Sequence, residues 1–139
     1  MILVDTNVIS EPLRKIPEAR VTEWLDAQPL ETLFLSAITL AELRFGVASL
    51  PAGKRRDALH DGLEVRILPL FAGRVLPFDF AASRSYAELM TKVQANGQPI
   101  GVADGYIAAT AAANGMMAAT RDIAPFAAAG VTVIDPWNS

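Results

Sequence analysis

Four acidic residues stand at comparable places along the 139-residue sequence, each beside the predicted end of a strand or the predicted start of a helix. They are Asp5, Glu42, Asp104 and Asp122. Carboxylate oxygens are the ligands that Mg²⁺ and Mn²⁺ prefer, and a bound divalent ion activates water for hydrolysis. Gathered in one crevice, these carboxylates would repel one another, so that a cation or a bound proton would have to neutralise part of their charge.

The first of these acids follows Ile2-Leu3-Val4, an uninterrupted apolar run suited to a strand that is covered on both faces. In open α/β sheets, ligands bind outside the carboxyl ends of the strands, and Asp5 is predicted to lie there. However, Asp5, Thr6 and Asn7 are all good N-cap residues for the next helix. This stretch alone leaves capping and chemistry equally open.

The other three acids also have ordinary structural explanations. Thr39 and Glu42 have the spacing of a capping box, with Thr39 as the N-cap. Asp104 is placed to favour the positive end of a helix dipole, and Asp122 to cap a short turn. Taken singly, each structural role is at least as well supported as a catalytic one. Four such acids at one predicted edge of a sheet favour a site.

Short apolar strands alternate with helices along the chain, which is typical of a parallel sheet with helices on both faces. The predicted strands are 2–4, 33–35, 75–78, 116–120 and 131–134, and 75–78 is placed near an edge because it contains a proline. The first predicted helices are a short one at 8–12, one from Pro17 to Pro29, and a helical hairpin over 39–67 with a turn at 51–53. The next helix begins after its cap, Asp79, and ends at Asn96-Gly97. An alanine-rich helix over 102–112 and a short one at 121–126 follow.

The composition indicates a single domain over residues 1–139. Hydrophobic residues make up 52% of the chain and charged residues 19%, and much of the apolar excess is alanine, which favours tight helix packing. No stretch approaches the length of a membrane-spanning helix, and no basic region precedes the first strand as in a signal peptide. The absence of cysteine excludes disulfides and thiolate metal sites, so we expect a cytoplasmic protein that does not associate with membranes.

The formal net charge of −3 is not that of a protein that coats nucleic acid. A nucleic-acid substrate held locally is still compatible with it, because clustered metal-binding acids lower the net charge by themselves. The single histidine, His60, lies in a polar helix and argues against a histidine-rich metal site or a Ser-His-Asp triad. The remaining acids on helices are expected to be solvated surface residues; they are Glu18, Glu23, Asp26, Asp57, Asp61 and Glu64.

Several sequence blocks resemble the PIN-domain ribonucleases, and most of all the VapC toxins of type II toxin–antitoxin pairs, in the FitB-like branch. The blocks are MILVDTNVISEP at Met1–Pro12, SAITLAELRFG at Ser36–Gly46, ADGYIAATA at Ala103–Ala111, ATRD at Ala119–Asp122 and GVTVIDPW at Gly130–Trp137. Any one block is weak evidence. Together, in the expected order and spacing over nearly the whole chain, they are specific.

The resemblance implies a PIN-like three-layer α/β/α sandwich with a five-stranded parallel sheet, and an endoribonuclease that depends on Mg²⁺ or Mn²⁺. Carried over by position, Asp5, Glu42 and Asp104 are metal ligands and Asp122 is the fourth acid of the site. The supporting polar residues are Thr6, Asn7 and Thr120. The sequence departs from the family at Pro125, where many members carry a second acid just before the phenylalanine; this puts a tightly held second ion in doubt.

The resemblance also implies partners: a cognate antitoxin that blocks the site, an RNA substrate, operator DNA reached only through the antitoxin, and a second copy of the toxin. The apolar positions of the predicted hairpin offer a surface for antitoxin or dimer, although packing inside the core explains them equally well; these are Leu40, Leu43, Phe45, Val47 and Leu50. Four cations near the motifs are candidates for holding phosphates, and the alternative explanation is that they are ordinary surface charges. They are Arg14, Lys15, Arg44 and Arg121.

Two other functions compete with metal-dependent RNA cleavage. In one, the metal site is vestigial and the chain acts as part of an antitoxin-bound regulatory complex on DNA; the full acidic set argues against this. In the other, Asp5 is the nucleophile of a phosphoaspartyl enzyme, but the second aspartate such enzymes usually carry two residues on is Asn7 here. No glycine-rich loop follows the first strand, so a P-loop is absent.

Overall fold

A computed structural model describes residues 1–138 as a five-stranded parallel sheet with helices on both faces. The strands are β1 (Ile2–Val4), β2 (Leu33–Ser36), β3 (Val75–Leu76), β4 (Met117–Ala119) and β5 (Val133–Ile134). Their order across the sheet is β3-β2-β1-β4-β5, and every neighbouring pair is parallel. The predicted parallel sheet is thus confirmed, including the edge position of β3.

Seven α-helices connect and cover the strands. They are α1 (Thr6–Ile9), α2 (Ala19–Ala27), α3 (Ala37–Ala48), α4 (Lys54–Asp61), α5 (Phe80–Ala95), α6 (Val102–Ala113) and α7 (Ile123–Ala128). Shorter turns of 3₁₀ helix follow α1 at Glu11–Leu13 and precede β2 at Leu30–Thr32, and α4 runs on into a π-helical turn at Gly62–Ile67. Within residues 1–138, we find no helix with both the length and the apolar character needed to cross a bilayer.

The side chains of β1 divide the core into two layers, because successive residues of a strand point to opposite faces. Ile2 and Val4 join the core formed with α1, α2, α3 and the Gly62–Ile67 turn. Leu3 joins the other core, formed mainly by α5, α6 and α7. Since β1 is central and buried on both faces, its carboxyl end is held firmly where the chain turns into α1.

Several element boundaries differ from the sequence prediction by one or two residues. The second helix begins at Ala19 rather than at Pro17, β3 ends at Leu76 rather than at Phe78, and β5 begins at Val133 rather than at Val131. In β3, Pro77 has no N–H for a ladder hydrogen bond, which is a physical reason for the strand to stop before it. The helical hairpin and its turn after Leu50 are present as predicted.

Ile107 is fully buried in α6, in the core that contains Leu3. We expect Ile107→Ala to lower the free energy of unfolding by about 2–5 kcal/mol, because it removes buried apolar groups and leaves a cavity. Urea denaturation followed by circular dichroism measures this loss. The control is Val102→Ala in the same helix, where the side chain is exposed and the loss should stay below about 0.5 kcal/mol. Equal losses in both variants would contradict the buried face assigned to α6.

Candidate active site

Asp5 occupies the turn between the carboxyl end of β1 and the start of α1, and its side chain is almost completely buried. One carboxylate oxygen, Oδ1, accepts a 2.8 Å hydrogen bond from the backbone N–H of Thr6, and so Asp5 is the N-cap of α1. The other oxygen, Oδ2, accepts a 2.7 Å bond from the hydroxyl of Thr120. Asp5 therefore caps the helix and also faces the polar residues beyond β4, so the two roles left open by the sequence coexist.

The residues that follow β4 are tied to those that follow β1. The side-chain amide of Asn7 lies 3.5 Å from Oδ2 of Asp5 and 3.4 Å from the Thr120 hydroxyl, and its own oxygen accepts from the N–H of Arg121 at 3.3 Å. The Thr120 oxygen accepts a 3.0 Å bond from the N–H of Asp122. Through these bonds Asn7 and Thr120 fix the orientation of Asp5 and the path of the chain towards Asp122.

Glu42 is not part of a capping box, so this structural explanation of the residue is wrong. Helix α3 begins at Ala37, and its N-cap is Ser36, whose hydroxyl accepts a 2.9 Å bond from the N–H of Thr39. Glu42 consequently lies in the second turn of the helix rather than the first. Its carboxylate accepts a 2.7 Å bond from the hydroxyl of Thr6, which ties α3 to the turn after β1.

Asp104 and Asp122 complete the acidic group from two further elements. Asp104 lies in the first turn of α6, as predicted, and is partly buried. Asp122 stands at the N-cap position of α7, but its side chain makes no capping hydrogen bond, so the capping explanation fails for this residue. The carboxyl groups of Asp104 and Asp122 lie close enough to share a hydrogen bond when one of them is protonated.

The four carboxylates are electrostatically coupled, and Asp104 interacts with all the others. Burial, with a smaller contribution from the negative charges of Asp104 and Glu42, raises the pKa of Asp5 to about 6, against the opposing hydrogen bonds from Thr120 and Thr6. Burial likewise raises the pKa of Asp104, and the charges of Asp122 and Glu42 add to the effect. The fold therefore holds ionised carboxylates near one another at an energetic cost.

No lysine or arginine compensates this charge within ion-pair distance anywhere in residues 1–138. Three of the cations considered as phosphate ligands have other partners in the fold. Arg14 pairs with Glu11 at 3.2 Å, Arg44 pairs with Glu64 at 2.8 Å, and the guanidinium of Arg121 stacks 4.9 Å from the ring centroid of Trp137. Lys15, the fourth, is exposed.

The donor set suits a hard divalent cation, since it consists of carboxylates with threonine hydroxyls beside them. In residues 1–138, however, no three His, Cys, Asp or Glu side chains already converge closely enough to hold an ion. The hydrogen bonds that orient Asp5 and Glu42 draw their carboxylates towards threonines rather than towards each other. The residues fit a divalent ion by chemistry and charge, although no three of these side chains converge on one point within residues 1–138.

Sequence reasoning assigned no site role to two buried hydroxyl residues beside this site, and it also missed the burial of Glu11. Ser36 and Thr39 are fully buried, and the Thr39 hydroxyl lies 3.1 Å from that of Thr6 and 3.2 Å from that of Ser36. Glu11 is also buried and accepts from Arg14 and from the N–H of Glu18 at 3.0 Å. The i,i+3 spacing of Glu11 and Arg14 is a local signal for this pair; the hydroxyl cluster has no comparable signal.

The acids that were assigned to the surface lie there. Five of them are exposed, and the sixth, Glu64, is partly exposed and pairs with Arg44; the five are Glu18, Glu23, Asp26, Asp57 and Asp61. His60 is exposed on α4, with Nδ1 3.3 Å from a carboxylate oxygen of Asp61, and it lies apart from the acidic group in the sequence and in its contacts.

Comparisons with known proteins agree with this geometry. The profile of the PIN domain matches residues 2–131. The chain is 61% identical to the VapC ribonuclease Y4jK of Sinorhizobium fredii over 99% of both chains, and 55% identical to the toxin FitB of Neisseria gonorrhoeae, again over 99% of both. A solved structure of FitAB bound to an IR36 DNA fragment contains a chain that is 55% identical to this one. The match covers 99% of this chain and 96% of that chain, with a TM-score of 0.93.

The assignment of Ser36 as the cap of α3 can be tested through stability. Ser36→Ala should lower the free energy of unfolding by about 1–2 kcal/mol, because the N–H of Thr39 loses its acceptor inside the protein. Glu42→Ala should cost less in metal-free buffer, because it removes a charge that repels Asp5 and Asp104. Urea denaturation measures both, and a loss below about 0.5 kcal/mol in Ser36→Ala would contradict the assignment of Ser36 as the cap.

The buried Asp5 should make metal-free stability depend on pH. Below pH 3.8 the group is protonated in the folded and the unfolded chain, and above about 6 it is ionised in both. Between these values only the folded chain keeps the proton, so the contribution of Asp5 to stability is present at low pH and is lost as the pH rises to about 6, by at most about 3 kcal/mol.

The measurement is the unfolding free energy of the wild type minus that of Asp5→Asn, in the presence of a chelator, from pH 3.8 to 7. Asparagine does not titrate here, so the difference reports the titration of Asp5 together with its coupling to Asp104 and Glu42. A difference that stays constant across this range, or that moves in favour of the wild type as the pH rises, would contradict the raised pKa.

Proposed function

We propose that this chain is an endoribonuclease toxin dependent on Mg²⁺ or Mn²⁺. The chain belongs to the PIN-domain family and, within it, to the VapC/FitB toxin ribonucleases of toxin–antitoxin systems. The observation that supports the metal dependence is the coupled group of four carboxylates without a compensating cation. We further propose that residues 1–139 form one domain acting in the cytoplasm.

In this proposal Asp5 and Asp104 hold the divalent ion directly, Glu42 holds it directly or through water, and Asp122 is the fourth acid. When bound, the ion would activate a water for in-line attack on a phosphodiester and neutralise developing negative charge. The buried position of Asp5, fixed from both oxygens by Thr6 and Thr120, supports its assignment as the central ligand.

The chain's own side chains prepare the site for that chemistry. The Thr6 hydroxyl holds Oε1 of Glu42, while Oε2 receives no hydrogen bond within the described part of the chain. This free oxygen suits Glu42 to orient or deprotonate the attacking water. Asp122 is exposed and unengaged as a cap, and it is the alternative base.

We propose that one ion, rather than two, is held tightly. A second ion would need further ligands near Asp122. Pro125, which stands where many family members carry an acid, is buried in α7 and offers no oxygen ligand from its side chain. The acids present therefore supply one coordination sphere with water completing it, which is the usual state of Mg²⁺ in proteins.

We propose three partners for this chain: an antitoxin that blocks the site, operator DNA bound only through that antitoxin, and a second toxin copy. The solved FitAB complex with DNA supports the first two. Phe45 is 73% exposed on α3, while Leu43 in the same helix is buried, so part of the apolar surplus of the hairpin is available to a partner.

A second candidate is a complex that regulates DNA through the antitoxin and cleaves RNA weakly. The DNA-bound relative favours this function, as does the absence of a preformed set of three ligands among residues 1–138. Against it, all four acids are present, and two of them are held in place by dedicated threonine hydrogen bonds. RNA cleavage by the isolated chain separates the two candidates.

The test is a calorimetric titration of the partner-free protein with Mn²⁺, together with a cleavage assay on structured RNA. We expect the wild type to bind one ion and to cleave, and Asp104→Asn to lose both, with a fall in cleavage of about 10²-fold or more, because Asp104 is coupled to every other acid of the site. Asp26→Asn, at an exposed position on α2, is the charge-matched control and should leave both unchanged.

Three outcomes would change the proposal. Metal binding without cleavage would favour the regulatory complex. Cleavage that survives in Asp104→Asn would remove that residue from the machinery. No metal binding by the wild type at millimolar Mn²⁺ would show that the acids serve only structure, and the enzyme proposal would fail.

A further inference from the structure

Seven of the twelve lysines and arginines have a partner within the fold. Arg14 and Arg44 form ion pairs with glutamates. Arg20, Arg74 and Lys92 donate to backbone carbonyls, and Arg84 and Arg121 stack on aromatic rings. The other five make no ion pair, side-chain hydrogen bond or ring contact with residues 1–138, and they are Lys15, Lys54, Arg55, Arg56 and Arg66.

Four of these five unpartnered cations line one surface groove of about 520 Å³, which we call the basic groove; they are Lys15, Lys54, Arg55 and Arg66. Its floor is apolar and includes Leu13 and Leu59, and none of the residues that line it is an aspartate or a glutamate. A protein of net charge −3 thus gathers a third of its cations on one surface where they neutralise nothing in the fold.

Helix α4 and the turn that continues it separate their charges between two faces. Lys54, Arg55 and Arg66 lie on the face that borders the basic groove. Asp57 and Glu64 lie on the face that borders a neighbouring cavity, where Arg44 and Arg56 accompany them. The third acid of this segment, Asp61, lines neither cavity, so none of its acids lines the basic groove.

Two tertiary contacts build the groove. Gly62 lets the segment after α4 approach the end of the Glu11–Leu13 turn, since a Cβ at this position would lie 3.3 Å from a methyl carbon of Leu13. The buried Glu11 accepts from Arg14 and from the N–H of Glu18, which fixes the loop that carries Lys15. The cations therefore project from a defined framework.

The groove is joined to the acidic centre by a short stretch of chain. Residues 6–13 run from the turn after Asp5 to Leu13 on the groove floor, mostly as α1 and the Glu11–Leu13 turn. At a helical rise of 1.5–2 Å per residue, these eight residues span at most about 16 Å. A stacked single strand covers that distance in about five nucleotides.

We propose that the basic groove binds the phosphates of single-stranded RNA while a neighbouring phosphodiester lies at the acidic centre. This inference rests on the proposed function. An RNA strand approaching the four carboxylates is repelled, so a separate attractive surface is needed to hold it, and unpaired lysines and arginines provide this attraction to phosphates. RNA is favoured over an acidic peptide because only the eight residues 6–13 connect the turn after Asp5, in the centre at which RNA would be cut, to the lining of the groove.

The test measures binding of a fluorescein-labelled single-stranded RNA of about 20 nucleotides, longer than most single-strand binding sites, by fluorescence anisotropy. The full chain carries Asp104→Asn, so that the RNA stays intact. Two groove variants are made in this background: the double variant Lys54→Gln/Arg55→Gln, and a quadruple variant that adds Lys15→Gln and Arg66→Gln. The control is Arg84→Gln/Lys92→Gln, which removes two exposed charges elsewhere. Salt is varied from about 50 to 200 mM.

We expect each lost phosphate contact to reduce the slope of log affinity against log salt by about 0.7, which weakens binding about fivefold per contact at 0.1 M salt. The double groove variant should lose more than tenfold and the quadruple variant more again, while the control double variant changes less than about twofold. In the active background, the groove variants should raise KM for RNA more than they lower kcat.

Equal losses in the groove and control variants would overturn the proposal, because they would reflect net charge alone. A greater loss for duplex DNA than for RNA would assign the groove to DNA. Groove variants that bind and cleave RNA normally would refute the groove while leaving the proposed function intact. A wild type that neither binds nor cleaves RNA with Mn²⁺ present would refute both, and unchanged thermal unfolding excludes misfolding as the cause of any loss.

Discussion

Repulsion among four carboxylates is the constraint that the surrounding structure has to satisfy. Asp5 is buried at the end of the central strand, where its ionised form is costly, and the neighbouring acids add to that cost. The fold offsets part of it with hydrogen bonds from Thr6 and Thr120, the groups that also fix the geometry of the site. Stability is thus given up locally so that negative charge is held in one place, which is typical of functional sites.

The same constraint explains the pattern of cations around the site. An arginine close to Asp5 or Asp104 would relieve the repulsion and would also occupy the place of a divalent ion. The arginines nearest in sequence are instead held by Glu11, by Glu64 and by the ring of Trp137. Most of the positive charge that remains unpaired lies in the basic groove, whose lining includes none of the four acids, where it would attract a polyanion without filling the proposed metal position.

The sequence predicts what depends on local pattern. The apolar run before Asp5 identifies the central strand, and the alternation of strands and helices identifies the parallel sheet. The sequence pattern misplaces the start of α3, because Ser36 lies three residues before Thr39 and Thr39 lies three residues before Glu42, so that both have the spacing of an N-cap. Only the position at which β2 ends decides between them. The basic groove has no local signal at all, since it forms where the chain at Gly62 packs against Leu13, which is distant in the sequence. Whether the four acids bind metal is still a prediction.

Under the proposed function, the acidic centre and the basic groove would have opposite effects on an RNA strand, and their combination would make ion and substrate interdependent. Without a divalent ion, the groove attracts the strand and the carboxylates repel the part of it that would be cut. Neutralising the carboxylates would remove that repulsion, so the proposed ion would raise the affinity for RNA. Because coupling between two ligands is reciprocal, bound RNA must raise the affinity for the ion by the same factor. A set of acids that does not converge on its own, as here, therefore suits an enzyme whose metal site is completed when substrate phosphate supplies further oxygen ligands.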